Sequence, residues 1–147
     1  MFCNIYLCGM KDIAELLARI LIAFVFIYEA LDAIVFFNKT KATMTAYGIV
    51  WQQDLLLKFL IGILLVGGVL VLIGYHARLG AVLLLLYWLP YTLIVYSFWD
   101  DAPDYKRIHA IYFMRNLAII GSLLLLIANG AGRFSIKRLI YIMKLPR

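Results

Sequence analysis

Four apolar runs alternate with short polar stretches along this chain. The first reads IAELLARILIAFVFIYEALDAIVFF, Ile13 to Phe37; the others run Leu55 to Tyr75, Leu79 to Phe98 and Ile108 to Asn129. At ~1.5 Å of helix rise per residue, about 20 apolar residues cross the ~30 Å hydrocarbon core of a bilayer. The pattern therefore predicts an all-α membrane protein, a four-transmembrane-helix bundle forming one domain over residues 1–147. A short head, Met1 to Asp12, precedes the first span. Asn38 to Asp54 is expected to be a polar loop with a short interfacial turn around Tyr47 to Trp51. Phe98 to Arg107, FWDDAPDYKR, is an acidic loop. After NGAGR comes a basic tail, FSIKRLIYIMKLPR, whose alternation of Lys and Arg with Leu, Ile and Tyr suits a segment lying on a membrane surface.

Composition agrees: 66% of residues are hydrophobic and 15% charged, against roughly half apolar in a soluble domain. The net charge of +6 does not indicate nucleic acid, because Lys and Arg flank the spans as topology signals do. Lys11, Arg78, Arg133, Lys137, Arg138, Lys144 and Arg147 fall on the side of both termini; Lys39, Lys41, Lys106 and Arg107 fall opposite. Both termini are thus expected to face the cytoplasm.

The chemistry lies in the polar residues within the spans. Ionisable groups in hydrocarbon are costly and are normally paired, or face a bundle interior or a wet cavity. Glu15 and Arg19, four residues apart, can pair on one helix face. Glu29 and Asp32 share a face deeper in span one without a local partner. Counted from the ends of the apolar runs, Glu29 and Arg115 each lie roughly 12 Å deep, Asp32 and Lys58 roughly 6 to 8 Å. Glu29–Arg115 and Asp32–Lys58 are therefore candidate ion pairs if spans one, two and four are neighbours. On span four His109, Tyr112 and Asn116 form a stripe beside Arg115. Glu29, Asp32, Lys58, His109, Tyr112, Arg115 and Asn116 together outline a polar pocket between spans one, two and four. It opens to the outer face and suits a small polar or quinone-like head group. The alternative is that the ion pairs only lock the helices.

Other features are expected to be structural. Gly62, Gly67, Gly68 and Gly74 of span two, and the Ala118–Ser122 pair of span four, suit close helix packing. Pro90 should kink span three. Its Tyr87, Trp88, Tyr91 and Tyr96 read as an interfacial belt. Cys3 and Cys8 lack the spacing of a redox or zinc motif. His76 and His109 belong to opposite ends of the bundle, so no metal or haem site is expected; the chain holds no cofactor of its own.

Taken in order, several segments resemble the DoxX family of small bacterial membrane proteins. They are LLARIL at Leu16 to Leu21, VGGVLVLIGYHAR at Val66 to Arg78, FWD at Phe98 to Asp100, RNLAIIGSLLLL at Arg115 to Leu126 and GAGRFS at Gly130 to Ser135. Within them Arg19, Gly67, Gly68, Arg78, Asn116, Gly121, Gly130 and Arg133 match positions of the family motif. The resemblance implies a four-helix bundle in a bacterial inner membrane and an association with redox chemistry. The function expected from it is a quinone-interacting subunit with oxidoreductase partners. A non-enzymatic scaffold recruiting partners through the tail and a small-solute carrier are the alternatives, and self-association into a homo-oligomer stays open.

Overall fold

The computed structural model describes residues 5–99, 103–130 and 132. Every regular element among them is an α-helix: α1 (Ile5–Val35), α2 (Phe37–Ala46), α3 (Gln53–Ile73), α4 (Ala77–Val95) and α5 (Pro103–Asn129). Three of these, α3, α4 and Tyr105–Asn129 of α5, are long and apolar enough to cross a membrane alone. The bent pair α1 and α2 makes a fourth only if counted as one broken span. The long α1 carries Glu15, Arg19, Glu29 and Asp32, which is why it does not stand alone in that count. Cys3, Asp100, Asp101 and the basic tail from Arg133 onward lie outside the described residues.

Each long helix turns a narrow seam inward. On α1 it is Arg19, Ala23, Phe26 and Ala30; on α3 Leu57, Ile61, Leu64, Gly68 and Val71; on α4 Ala77, Ala81, Leu84, Trp88 and Thr92. These spacings of three and four residues are the period of one helix face. The remaining faces are apolar and exposed, with Leu21, Phe24, Leu72, Leu86 and Leu125 among them. Helices apolar on every face belong in lipid. The helices pack α1 on α3, α3 on α4 and α4 on α5, while α1 and α5 meet little.

Glycine sets the closest approaches. A Cβ on Gly80 would meet the Gly67 carbonyl oxygen at 2.8 Å, and one on Gly68 would meet Ile27 at 3.0 Å. So Gly67 and Gly68 act as expected, and Gly80, which the glycine-rich reading of span two passed over, completes the α3–α4 seam. Gly62 meets nothing within 4 Å, and Ala118 is exposed, so neither packs against another helix of this chain. Gly74, at φ 72°, caps α3 in the left-handed region, where lack of a Cβ removes the penalty.

The ends of the elements differ from expectation. Most of the predicted head is already helix, α1 beginning at Ile5, and α5 begins at Pro103, five residues before the predicted span. Pro90 lies inside α4, which continues through it. The largest difference is at Asn38: the expected loop is α2, which leaves α1 at 93° after a break at Phe36. Its half-buried positions Phe37, Thr40, Lys41 and Met44 follow helical spacing, a signal hidden by the short segment's polar composition.

Candidate functional site

Beneath α2, where α1 stops, a cavity of about 430 Å³ opens between α1, α2, α3 and α4. Each wall is one helix stripe. Glu29, Asp32 and Ala33 of α1, continued by Phe36 at the break, form one wall; Leu57, Leu60, Ile61 and Leu64 form that of α3; Tyr87, Pro90, Tyr91 and Ile94 form that of α4. All three follow the i, i+3, i+4, i+7 rule that brings side chains to one face. Phe36, Thr40, Thr43 and Tyr47 form the roof, with Lys39 and Met44 beside them.

The roof is tied at several points. Lys41 Nζ lies 2.6 Å from Asp54 Oδ1. Gln53 Nε2 donates to Thr45 Oγ1 at 2.8 Å and to the Ile49 carbonyl at 2.6 Å. The Tyr47 hydroxyl donates to the Val95 carbonyl at 3.0 Å, joining the end of α2 to the end of α4.

The walls are mainly apolar, and polarity is concentrated in a few groups. Glu29 is half-buried and Asp32 exposed, and neither has a salt-bridge partner among the described residues. The two carboxylates act on each other electrostatically, and Glu29 also acts on Tyr87 and Tyr91. Those tyrosines stack at 5.6 Å between centroids with 14° between planes, and Tyr91 meets Tyr96 edge-on at 5.8 Å. Glu29 lies six residues before the end of α1, so about 9 Å below it, and Asp32 about 4.5 Å. Both are shallower than the sequence suggested, because α1 ends at Val35 and not at Phe37.

Of the seven predicted site residues, the cavity gathers Glu29 and Asp32 alone. Neither expected ion pair forms. Arg115 is near enough to attract Glu29, but its guanidinium sits over the Tyr112 ring at 4.9 Å. The pairing fails because α5 packs on α4 and meets α1 little. Lys58 follows core-facing Leu57 by one residue and is therefore rotated outward, exposed, where it acts on Asp54. His109 and Tyr112 do share a face, both meeting Tyr96 edge-on at 6.0 and 5.6 Å. Asn116 is 1% exposed, and neither amide atom has a hydrogen-bond partner among the described residues. The expected site does not include Tyr87, Tyr91 or the roof residues; Tyr87 and Tyr91 read as part of an interfacial belt, although with Pro90 and Ile94 they share one helix face.

At the opposite end Arg19, 2% exposed, is attracted by Glu15 as expected. The chain after α5 folds back here: Gly130 abuts the Arg78 guanidinium and Gly132 abuts Glu15, both glycines at positive φ. Arg78 also donates to the Ala128 carbonyl at 3.4 Å. Among the described residues no three His, Cys, Asp or Glu side chains gather as a metal site would require.

Fold and cavity define an integral membrane protein with a ligand-sized chamber at one end of its helices. Residues 8–140 match the SURF4 family, and the chain belongs to it. It is 30% identical over 131 residues to the inner membrane protein YqjF of Escherichia coli K12, covering 89% of this chain and 95% of that protein. It is 29% identical over 129 residues to the inner membrane protein YphA of the same organism, covering 87% and 91%. No solved structure matches. The family match overturns the DoxX resemblance. The segments that carried it include Gly67, Gly68, Arg19, Arg78 and Gly130, which build close helix contacts and the turn after α5. Short motifs of that kind report packing, which unrelated bundles share.

Proposed function

We propose that the chain is a single-domain inner-membrane binding protein holding a small amphiphile in the cavity under α2. The observation that carries this is an apolar chamber of about 430 Å³ with two carboxylates and no salt bridge to either among the described residues. Ligand pockets typically measure ~300–1,000 Å³ and combine apolar walls with a few polar groups. Ionisable residues inside a membrane are functional candidates by default. In this reading α1, α3, α4 and α5 are the four spans, α2 lies on the outer face and both termini are cytoplasmic. The Lys and Arg distribution supports that orientation, and two relatives named as inner membrane proteins support the compartment.

The expected redox role and oxidoreductase partners rested on the DoxX resemblance and lose that support with it. A quinone remains in this proposal as one ligand with a neutral head. The test is native mass spectrometry of protein released from detergent, comparing the natural chain with Ala33→Trp, which puts an indole into the chamber from the α1 wall. Co-purified small molecules retained by the natural chain and absent from the variant are expected. Identical adduct spectra would overturn the reading.

A further inference from the structure

The amphiphile's head group follows from the charges around the chamber, an inference that rests on the binding reading above. Among the described residues, Glu29 and Asp32 line the wall against a single lining cation, Lys39. Lys39 is exposed and sits over the Phe36 ring at 6.0 Å. The other cations of the region lie outside the lining. Lys41 is held by Asp54 at 2.6 Å, Lys58 acts on the same aspartate, and Arg115 stacks on Tyr112, from where it attracts Glu29 without forming a salt bridge to it. The lining therefore carries one more carboxylate than ammonium, in a medium where a charge without a counter-charge is costly.

We propose that the chamber selects a monocationic amphiphile, an aliphatic body bearing one ammonium head. The ammonium supplies, inside the chamber, the direct salt-bridge partner that Glu29 and Asp32 lack among the described residues, where Arg115 attracts Glu29 only from outside. The neighbouring Tyr87–Tyr91 stack contributes hydroxyl acceptors, and tyrosine ring faces attract cations within about 6 Å. The body lies along the Leu60, Ile61 and Leu64 stripe of α3. An anionic head would meet two carboxylates in a low-dielectric site and is rejected. A neutral head binds by the body alone and leaves the acids uncompensated.

Equilibrium binding in nanodiscs tests this with dodecylamine, dodecanol and dodecanoate, which share a chain and differ in head charge. The signal of Ala33→Trp nanodiscs is subtracted to remove lipid partitioning. Dodecylamine is expected to bind about tenfold or more tightly than dodecanol, a ratio worth one decade of Kd, with dodecanoate weaker than both. In the Glu29→Gln, Asp32→Asn double variant that preference should vanish while dodecanol binding persists, which shows the chamber intact. Comparable binding of all three, or preference for dodecanoate, overturns the cation selectivity and leaves the binding reading standing. No Ala33→Trp-sensitive binding of any probe overturns both.

Discussion

Lys41 on α2 and Asp54 in the first turn of α3 lie 2.6 Å apart, an ion pair bridging the turn at Gly48. It holds the roof of the cavity to one of its walls. Both side chains are partly exposed, so the pair contributes modestly and weakens with salt. Lys41→Glu should raise limited thermolysin cleavage within 37–52 by about two- to fivefold without changing the unfolding midpoint of the bundle. The Lys41→Glu, Asp54→Lys swap should restore protection. Equal cleavage in all three proteins would show that the other ties suffice.

Gly80 faces the carbonyl of Gly67 across the α3–α4 seam, with 2.8 Å between that oxygen and a hypothetical Cβ. Backbone cannot move aside as a side chain can, so Gly80→Ala should cost about 1–3 kcal/mol, the usual range for overpacking. Gly67→Ala should fall in the same range, because its Cβ would meet Cγ and Cδ2 of fully buried Leu84 at 2.8 Å and the Gly80 carbonyl oxygen at 3.3 Å. Gly62→Ala and Gly121→Ala meet nothing within 4 Å and should be neutral. Unfolding midpoints in detergent give the order; a tolerated Gly80→Ala would contradict the seam.

Asn116 is buried, with neither amide atom hydrogen-bonded among the described residues. A buried polar group without a partner costs about 1–3 kcal/mol. Asn116→Leu keeps nearly the same shape and removes that cost, so the variant should unfold at a higher temperature. A lower midpoint would mean that the amide is satisfied in the membrane by a group such as water.

Gly130 combines φ of +79° with a Cβ position 3.2 Å from Arg78 Nε. Gly130→Ala should cost more than ~1 kcal/mol, since a side chain is strained there whatever the space. Combined with Arg78→Ala the loss should be less than the sum of the two single variants, because the steric part disappears and the backbone part stays. Strict additivity in chemical denaturation would show that the arginine does not crowd the turn.

Much of the helical architecture was legible because span length and hydropathy are summed over many residues. The runs from Leu55, Leu79 and Ile108 all correspond to helices within a few residues of their predicted ends. The Glu15–Arg19 relation was legible as well, being a matter of spacing within one helix. What failed was whatever depended on which helix stands beside which. Glu29 and Arg115 were placed by depth, but pairing also needs neighbouring helices, and depth carries no such information. The roof failed for a different reason. FNKTKATMTA looks like a loop by composition, and its helical spacing becomes meaningful only once three walls are present for it to cover.

Gly74, Tyr75 and His76 are all that separates α3 from α4, and the two helices touch through glycine on both sides. The pair is thus a helical hairpin with too little connector to reach any other arrangement. During synthesis the two segments would leave the insertion machinery for lipid together, as one antiparallel unit. The strongly apolar α3, with mean hydropathy 2.8 against 1.7 for its neighbour, then carries α4 with it. The Tyr87, Pro90 and Tyr91 that α4 brings to the cavity are thereby delivered together with the α3 wall that faces them.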